Sequence, residues 1–101
     1  MGDKILVVDD EPDNRAMVRR YMEIEGGEVV EAAGGQEAIQ ALQAQDPDVM
    51  ILDLVMPGWS GEEVIGWMVS NRRPVPTVVF TGHGDDAARC LPSWVVLETK
   101  P

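Results

Sequence analysis

Asp48-Val-Met-Ile-Leu-Asp53-Leu-Val-Met-Pro57-Gly58 decides how this chain folds, because an apolar run delivers one carboxylate and then breaks into a turn. A short apolar run closed by Pro-Gly reads as a buried strand entering a loop. Asp53 stands where the run gives way, so its carboxylate belongs at the C-terminal edge of a sheet. In open α/β sheets that edge is where ligands bind. An aspartate there also serves as an ordinary loop cap, so the neighbouring segments must decide between the two uses.

Upstream, Lys4-Ile-Leu-Val-Val8 is a β-branched apolar run of the kind a central parallel strand needs, and it ends in Asp9-Asp10-Glu11. Pro12 suits the first turn of a helix, whose positive N-terminus the preceding acids favour. Within Asp13 to Glu25, the residues Val18, Tyr21, Met22 and Glu25 follow helical spacing toward the sheet, leaving Arg15, Arg19 and Glu23 on the wetter side. Gly26-Gly27 stops that helix. Glu28-Val-Val-Glu-Ala32 is short and flanked by acids, as an edge strand should be. A helix from Gln36 to Gln45 follows, with Ala38, Ile39 and Leu42 as its apolar face, before Asp46-Pro47 ends it.

Downstream, Ser60 and Glu63 have capping-box spacing, and Val64, Ile65 and Met68 form a buried helical face that ends before Arg72-Arg73-Pro74. Trp67 at helical spacing reads as packing, and Arg72-Arg73 as a solvated helix end. Thr77-Val-Val-Phe80 is the fourth strand, and Thr81-Gly82-His83-Gly84 is its C-terminal loop. The stretch from Asp85 to Leu91 has room for a short fourth helix before Pro92 cuts it off. Trp94-Val-Val-Leu97 is the fifth strand, followed by Glu98-Thr99-Lys100-Pro101. Alternating strand and helix patterns, with no repeat or linker, predict an α/β fold: a doubly wound parallel sheet with right-handed crossovers, forming one domain over residues 1–101.

Composition narrows the function classes. Eight Lys plus Arg against eighteen Asp plus Glu give a net charge of −10, which disfavours nucleic acid or an anionic membrane as direct partner and suits a cation or a basic protein surface. Cys90 is the only cysteine, so an intramolecular disulfide and a multi-cysteine metal site are excluded, in keeping with a reducing cytoplasm. No leader pattern or membrane-length apolar stretch is present, and a cytoplasmic location is expected.

In a parallel sheet all strand C-termini share one edge, so Asp9, Asp10, Asp53, Thr81 and Lys100 should converge from four strands. Three carboxylates, a hydroxyl and a cation suit Mg²⁺, or Mn²⁺ in its place, shared with a phosphoryl group. Asp53 would then be the nucleophile and form an aspartyl phosphate.

The combination Asp9-Asp10-Glu11-Pro12, Ile51-Leu-Asp53-Leu-Val-Met-Pro57-Gly58, Ser60-Gly61, Thr81-Gly82 and Lys100-Pro101 closely resembles the receiver domain of two-component response regulators. The resemblance covers essentially the whole chain and implies a flavodoxin-like sheet in the order 2-1-3-4-5. It implies that Asp53 accepts a phosphoryl group from a sensor histidine kinase or a histidine phosphotransfer protein. It also implies that Asp10 and Asp53 bind Mg²⁺ directly, that Asp9 acts through water, and that the Val55 backbone carbonyl completes the ligands. Thr81 and Lys100 would hold the phosphoryl oxygens.

The departures from that pattern lie after Thr81. The stretch from Thr81 to Lys100 is shorter than usual, Leu97 replaces the aromatic residue usual at the switch position, and a fifth helix after Pro101 is missing. A fragment of a longer protein accounts for the last point, and a natural short receiver is the alternative. A homodimer through the face left open is a further expectation. Val55 and His83 should tune loss of the phosphoryl group, since they flank the attacking water. Trp59, near the acceptor loop, is expected to cover apolar surface. Two rivals remain open: a receiver-like interaction module that is never phosphorylated, and a Mg²⁺-dependent phosphohydrolase, although Asp9-Asp10 lacks the Asp-x-Asp spacing of haloacid-dehalogenase-like enzymes.

Overall fold

The computed structural model describes residues 3–53, 60–81 and 95–99. The elements in order are β1 (Lys4–Val8), α1 (Pro12–Ile24), β2 (Glu28–Ala32), α2 (Gly35–Ala44), β3 (Val49–Asp53), α3 (Gly61–Ser70), β4 (Thr77–Thr81) and β5 (Val95–Thr99). The strands pair in the order β2-β1-β3-β4-β5, and every pairing is parallel. β2 is thus the margin that its flanking acids indicate. The segment expected to form a short fourth helix lies outside the described residues.

Alternation along each strand divides the core into two layers, because successive side chains point to opposite faces. Leu6, Val8, Met50, Leu52 and Val79 face α2 and α3, where they pack with Ala38, Leu42, Val64, Ile65 and Met68. Ile5, Val7 and Ile51 face the other way, against Val18 and Met22 of α1. Helices on both faces make this a doubly wound α/β sheet.

The two layers differ in completeness. α1 has no fully buried residue, and Tyr21, read from its spacing as facing the sheet, is 67% exposed. Only Val18 and Met22 of that stripe reach the apolar layer; Tyr21 instead lines a groove of about 490 Å³ with Met17, Val7, Ile51, Asp9 and Asp53. Among the described residues, α1 is the helix that covers this face.

Helix ends are closed by named hydrogen bonds. At the end of α1 the Gly27 N–H donates to Met22 O at 2.8 Å and the Gly26 N–H to Glu23 O at 3.0 Å, a Schellman closure with Gly26 at φ 92°. Gly27 allows close approach as well: a Cβ there would lie 2.6 Å from Ile5 Cδ1. α3 starts with the predicted capping box, in which Ser60 Oγ accepts from the Glu63 N–H and Glu63 accepts from the Ser60 N–H. It ends in a second Schellman closure, with Arg72 at φ 53° in the place glycine usually takes.

α1 is also tied to the edge strand by ions. Arg19 Nη1 donates to Glu31 Oε2, Arg19 Nε to Glu23 Oε2 at 3.3 Å, and Arg15 Nε to Glu31 Oε1 at 3.3 Å. The hydrogen bond from Arg19 holds the Glu31 carboxyl below the usual carboxylate range, with Arg15 adding to the effect and desolvation opposing it. The Arg19 guanidinium is pushed up in return, first by Glu31 and then by Glu23.

Two measurements check this description. Leu6 is 1% exposed, and Leu6→Ala should cost about 2–5 kcal/mol in urea unfolding. Ile24 is 75% exposed, and Ile24→Ala should stay within about 0.5 kcal/mol; equal losses would contradict the assigned core. The depressed Glu31 pKa stabilises the fold above the unfolded-state pKa, and that contribution fades as pH falls through the folded value. The stability gap between wild type and Glu31→Gln should therefore shrink between neutral pH and about pH 3, and a gap independent of pH would refute the pairing.

Candidate functional site

The site follows from strand register. Val8 pairs with Leu52, so the next positions, Asp9 and Asp53, stand side by side on adjacent strands about 4.8 Å apart. Both have the parity of Val7 and Ile51, so both side chains turn to the α1 face. Asp53 is the last residue of β3 and only 5% exposed, and Asp9, just beyond β1, is 8% exposed. Asp10 follows in the β1–α1 connection and is half-buried.

Each of Asp9, Asp10 and Asp53 offers a carboxylate oxygen within 4.8 Å of the others. In an octahedral Mg²⁺ shell with oxygens at 2.0–2.1 Å, adjacent oxygens lie roughly 3 Å apart and opposite ones roughly 4 Å, so these donors are close enough to share one ion directly or through its waters. Hard oxygen donors also suit that ion better than a softer metal. The cluster sits at the end of the apolar groove, and Asn14 of α1 lines it as well.

The backbone around Asp9 is held at several points. Its N–H donates to Ala32 O at 3.1 Å, which extends the β1–β2 ladder by one residue. Its Oδ1 accepts from the Glu11 N–H at 2.9 Å, which closes the turn into α1. Its carbonyl accepts from Arg15 Nη1 at 2.7 Å.

The other expected site residues fall as follows. Thr81 is the last residue of β4, one position beyond Phe80, the partner of Asp53, so its backbone reaches the same edge. Leu97 is in β5 and pairs with Val79. Val55, Trp59, His83, Cys90 and Lys100 lie outside the described residues. Sequence reasoning missed Arg15 and Glu31. Arg15 was assigned to the wet face of α1, and its four-residue spacing to Arg19 marked a shared face without marking the acceptor. That acceptor comes from β2 and is identified only by tertiary structure.

Comparison with known proteins agrees with this geometry. The family model for the response regulator receiver domain matches residues 5–92. The transcriptional regulatory protein ResD of Bacillus subtilis is 40% identical over 86 residues, covering 85% of this chain and 35% of ResD. This chain therefore spans about a third of that relative. Among solved structures, the N-terminal receiver domain of a Methanoculleus marisnigri response regulator superposes with a TM-score of 0.89 at 28% identity, covering 98% of this chain and 85% of the other. Response regulator TrrA of Thermotoga maritima, solved in complex with Mg²⁺-BeF, gives a TM-score of 0.82 at 33% identity over 95% of this chain and 86% of its own. With a parallel sheet that brings three aspartates together at its C-terminal edge, and a family match over most of its length, the chain belongs to the response regulator receiver domains, the signalling modules of two-component systems.

Proposed function

We propose that this domain takes a phosphoryl group onto Asp53, with Mg²⁺ present, from the phosphohistidine of a sensor kinase or phosphotransfer protein. The observation that carries the reading is the Asp9, Asp10 and Asp53 cluster, with Asp53 at the end of a central strand. The TrrA complex with Mg²⁺-BeF supports the same ion here. Asp10 and Asp53 would hold Mg²⁺ directly, Asp9 through water, and Val55 through its backbone carbonyl. When bound, the ion offsets the charge of the carboxylates and of the incoming phosphoryl group.

The chain's own residues account for the rest. An Asp53 carboxylate oxygen attacks phosphorus, the P–N bond to the donor imidazole breaks, and its electron pair stays on the imidazole nitrogen. The acyl phosphate so formed is later cleaved by water, which restores the Asp53 carboxylate and releases inorganic phosphate. Thr81 would donate its hydroxyl to one phosphoryl oxygen, and Lys100 would place a compact positive charge on another. This is assistance to phosphorylation of its own residue, not turnover of a separate substrate.

Readout rests on the stretch after Thr81. Leu97, in place of the aromatic residue usual at the switch position, sets this domain's output apart. The output works through a conformational or oligomeric change, in the cytoplasm. No helix among the described residues is long and apolar enough to cross a membrane.

Intact mass after incubation with acetyl phosphate and Mg²⁺ should show one added phosphoryl group, lost in Asp53→Ala and on chelation of the metal. No Asp53-dependent adduct would leave the receiver as an interaction module only. The apolar Val55 cannot orient the attacking water, so the phosphoryl group should be long-lived. Val55→Asn should shorten its lifetime and His83→Ala lengthen it, and unchanged lifetimes in both would remove these two residues from the mechanism.

A further inference from the structure

The Asp9–Asp10 peptide bond sits between two metal-ligand candidates, and its direction decides where the Asp10 carboxylate points. The plane of a peptide carries the C=O of one residue and the N–H and Cα of the next, with little freedom to twist. Fixing the Asp9 carbonyl therefore fixes the start of Asp10. Arg15 Nη1 does so at 2.7 Å from one turn into α1, while the Asp9 N–H is held by Ala32 and its Oδ1 by Glu11.

Arg15 is itself braced. Its Nε donates to Glu31 Oε1 at 3.3 Å, and the other oxygen of that carboxylate accepts from Arg19, which also pairs with Glu23. The Arg15 side chain is 17% exposed, the least of the side chains in this ionic chain. A guanidinium is planar and presents its donors in a fixed fork, so one edge anchored on Glu31 aims another at the Asp9 carbonyl. Lysine places a single compact charge and cannot serve both acceptors in that geometry.

We propose that Arg15 is a positioning residue for the acidic site: it clamps the Asp9–Asp10 peptide in the direction that lets Asp10 share a cation with Asp53, and Glu31 is its brace. This rests on the reading of the Asp9, Asp10 and Asp53 cluster as a Mg²⁺ site. Partly exposed surface ion pairs of this kind contribute little to global stability. Removing the clamp should therefore spare the fold and act on the site.

The test is Mg²⁺ titration by calorimetry on wild type, Arg15→Ala, Arg15→Lys and Glu31→Ala. Amide hydrogen exchange of Asp10 and Glu11 is followed in the metal-free proteins. Outer-shell contacts of this type change metal affinity by about 10–100-fold, so Arg15→Ala should weaken Mg²⁺ binding about tenfold or more, and Arg15→Lys should recover only part. Glu31→Ala should weaken binding less, and adding it to Arg15→Ala should have almost no further effect, because the brace acts only through the arginine. Protection of Asp10 and Glu11 should fall while that of β3 stays, and labelling by acetyl phosphate at saturating Mg²⁺ should return to the wild-type rate. Should Arg15→Ala fail to fold, Arg15→Lys keeps the stem and the charge and carries the test. Wild-type Mg²⁺ affinity in the folded Arg15 variants overturns this inference alone, whereas a wild type that binds no Mg²⁺ overturns the reading of the site and this inference with it.

Discussion

Pairing of Val8 with Leu52 is the constraint on which the site depends. In a parallel ladder the residue after each partner is also brought alongside, so the register puts Asp9 beside Asp53. Shifting that register by one residue would turn every side chain of one strand to the opposite face. A slip of β3 would take Met50 and Leu52 out of the layer under α2 and α3 and turn Asp53 away from Asp9. Burial of those apolar residues holds the carboxylates together against their repulsion, which by itself would separate them.

The two faces of the sheet divide the work. The face under α2 and α3 is dry, with Met50, Leu52, Val64, Met68 and Val79 all at 0% exposure, and it supplies the rigidity. Among the described residues, the α1 face is thinner and opens into the groove that ends at the acidic cluster. On the proposed function, a site that admits an ion and a phosphoryl donor belongs on the less closed face. Asp53, on the last residue of the rigid strand, takes its position from one face and its access from the other.

Much of this was legible because it is local or periodic. The β1 and β2 boundaries matched, Ser60 and Glu63 formed their capping box, and Asp53 came at the end of its strand, buried as the strand's last residue and not just past it. Gly26-Gly27 announced the end of α1 because a left-handed residue is needed there. The end of α3 before Arg72-Arg73-Pro74 was legible, but its means was not: Arg72 stands in the left-handed region, a conformation sequence does not advertise for arginine. Tyr21 was misassigned because helical spacing identifies a stripe without its width, and the stripe on α1 is narrower than the spacing allowed.

The ionic chain from Glu23 to Asp9 was illegible for a different reason. Arg15 and Glu31 are 16 residues apart, and the pattern of neither segment names the other as partner. Yet this kind of contact has more to do with function than its strength implies. Each link is a partly exposed pair of small energetic weight, but it ends on the main chain of a buried aspartate. A weak interaction at the surface moves global stability little, but one applied to the peptide next to a candidate ligand can bias where that ligand points. Precision in the site therefore does not have to come from the core that holds the fold. On the proposal for Arg15, it would come from charges on α1 and β2 that composition alone assigns to solvent.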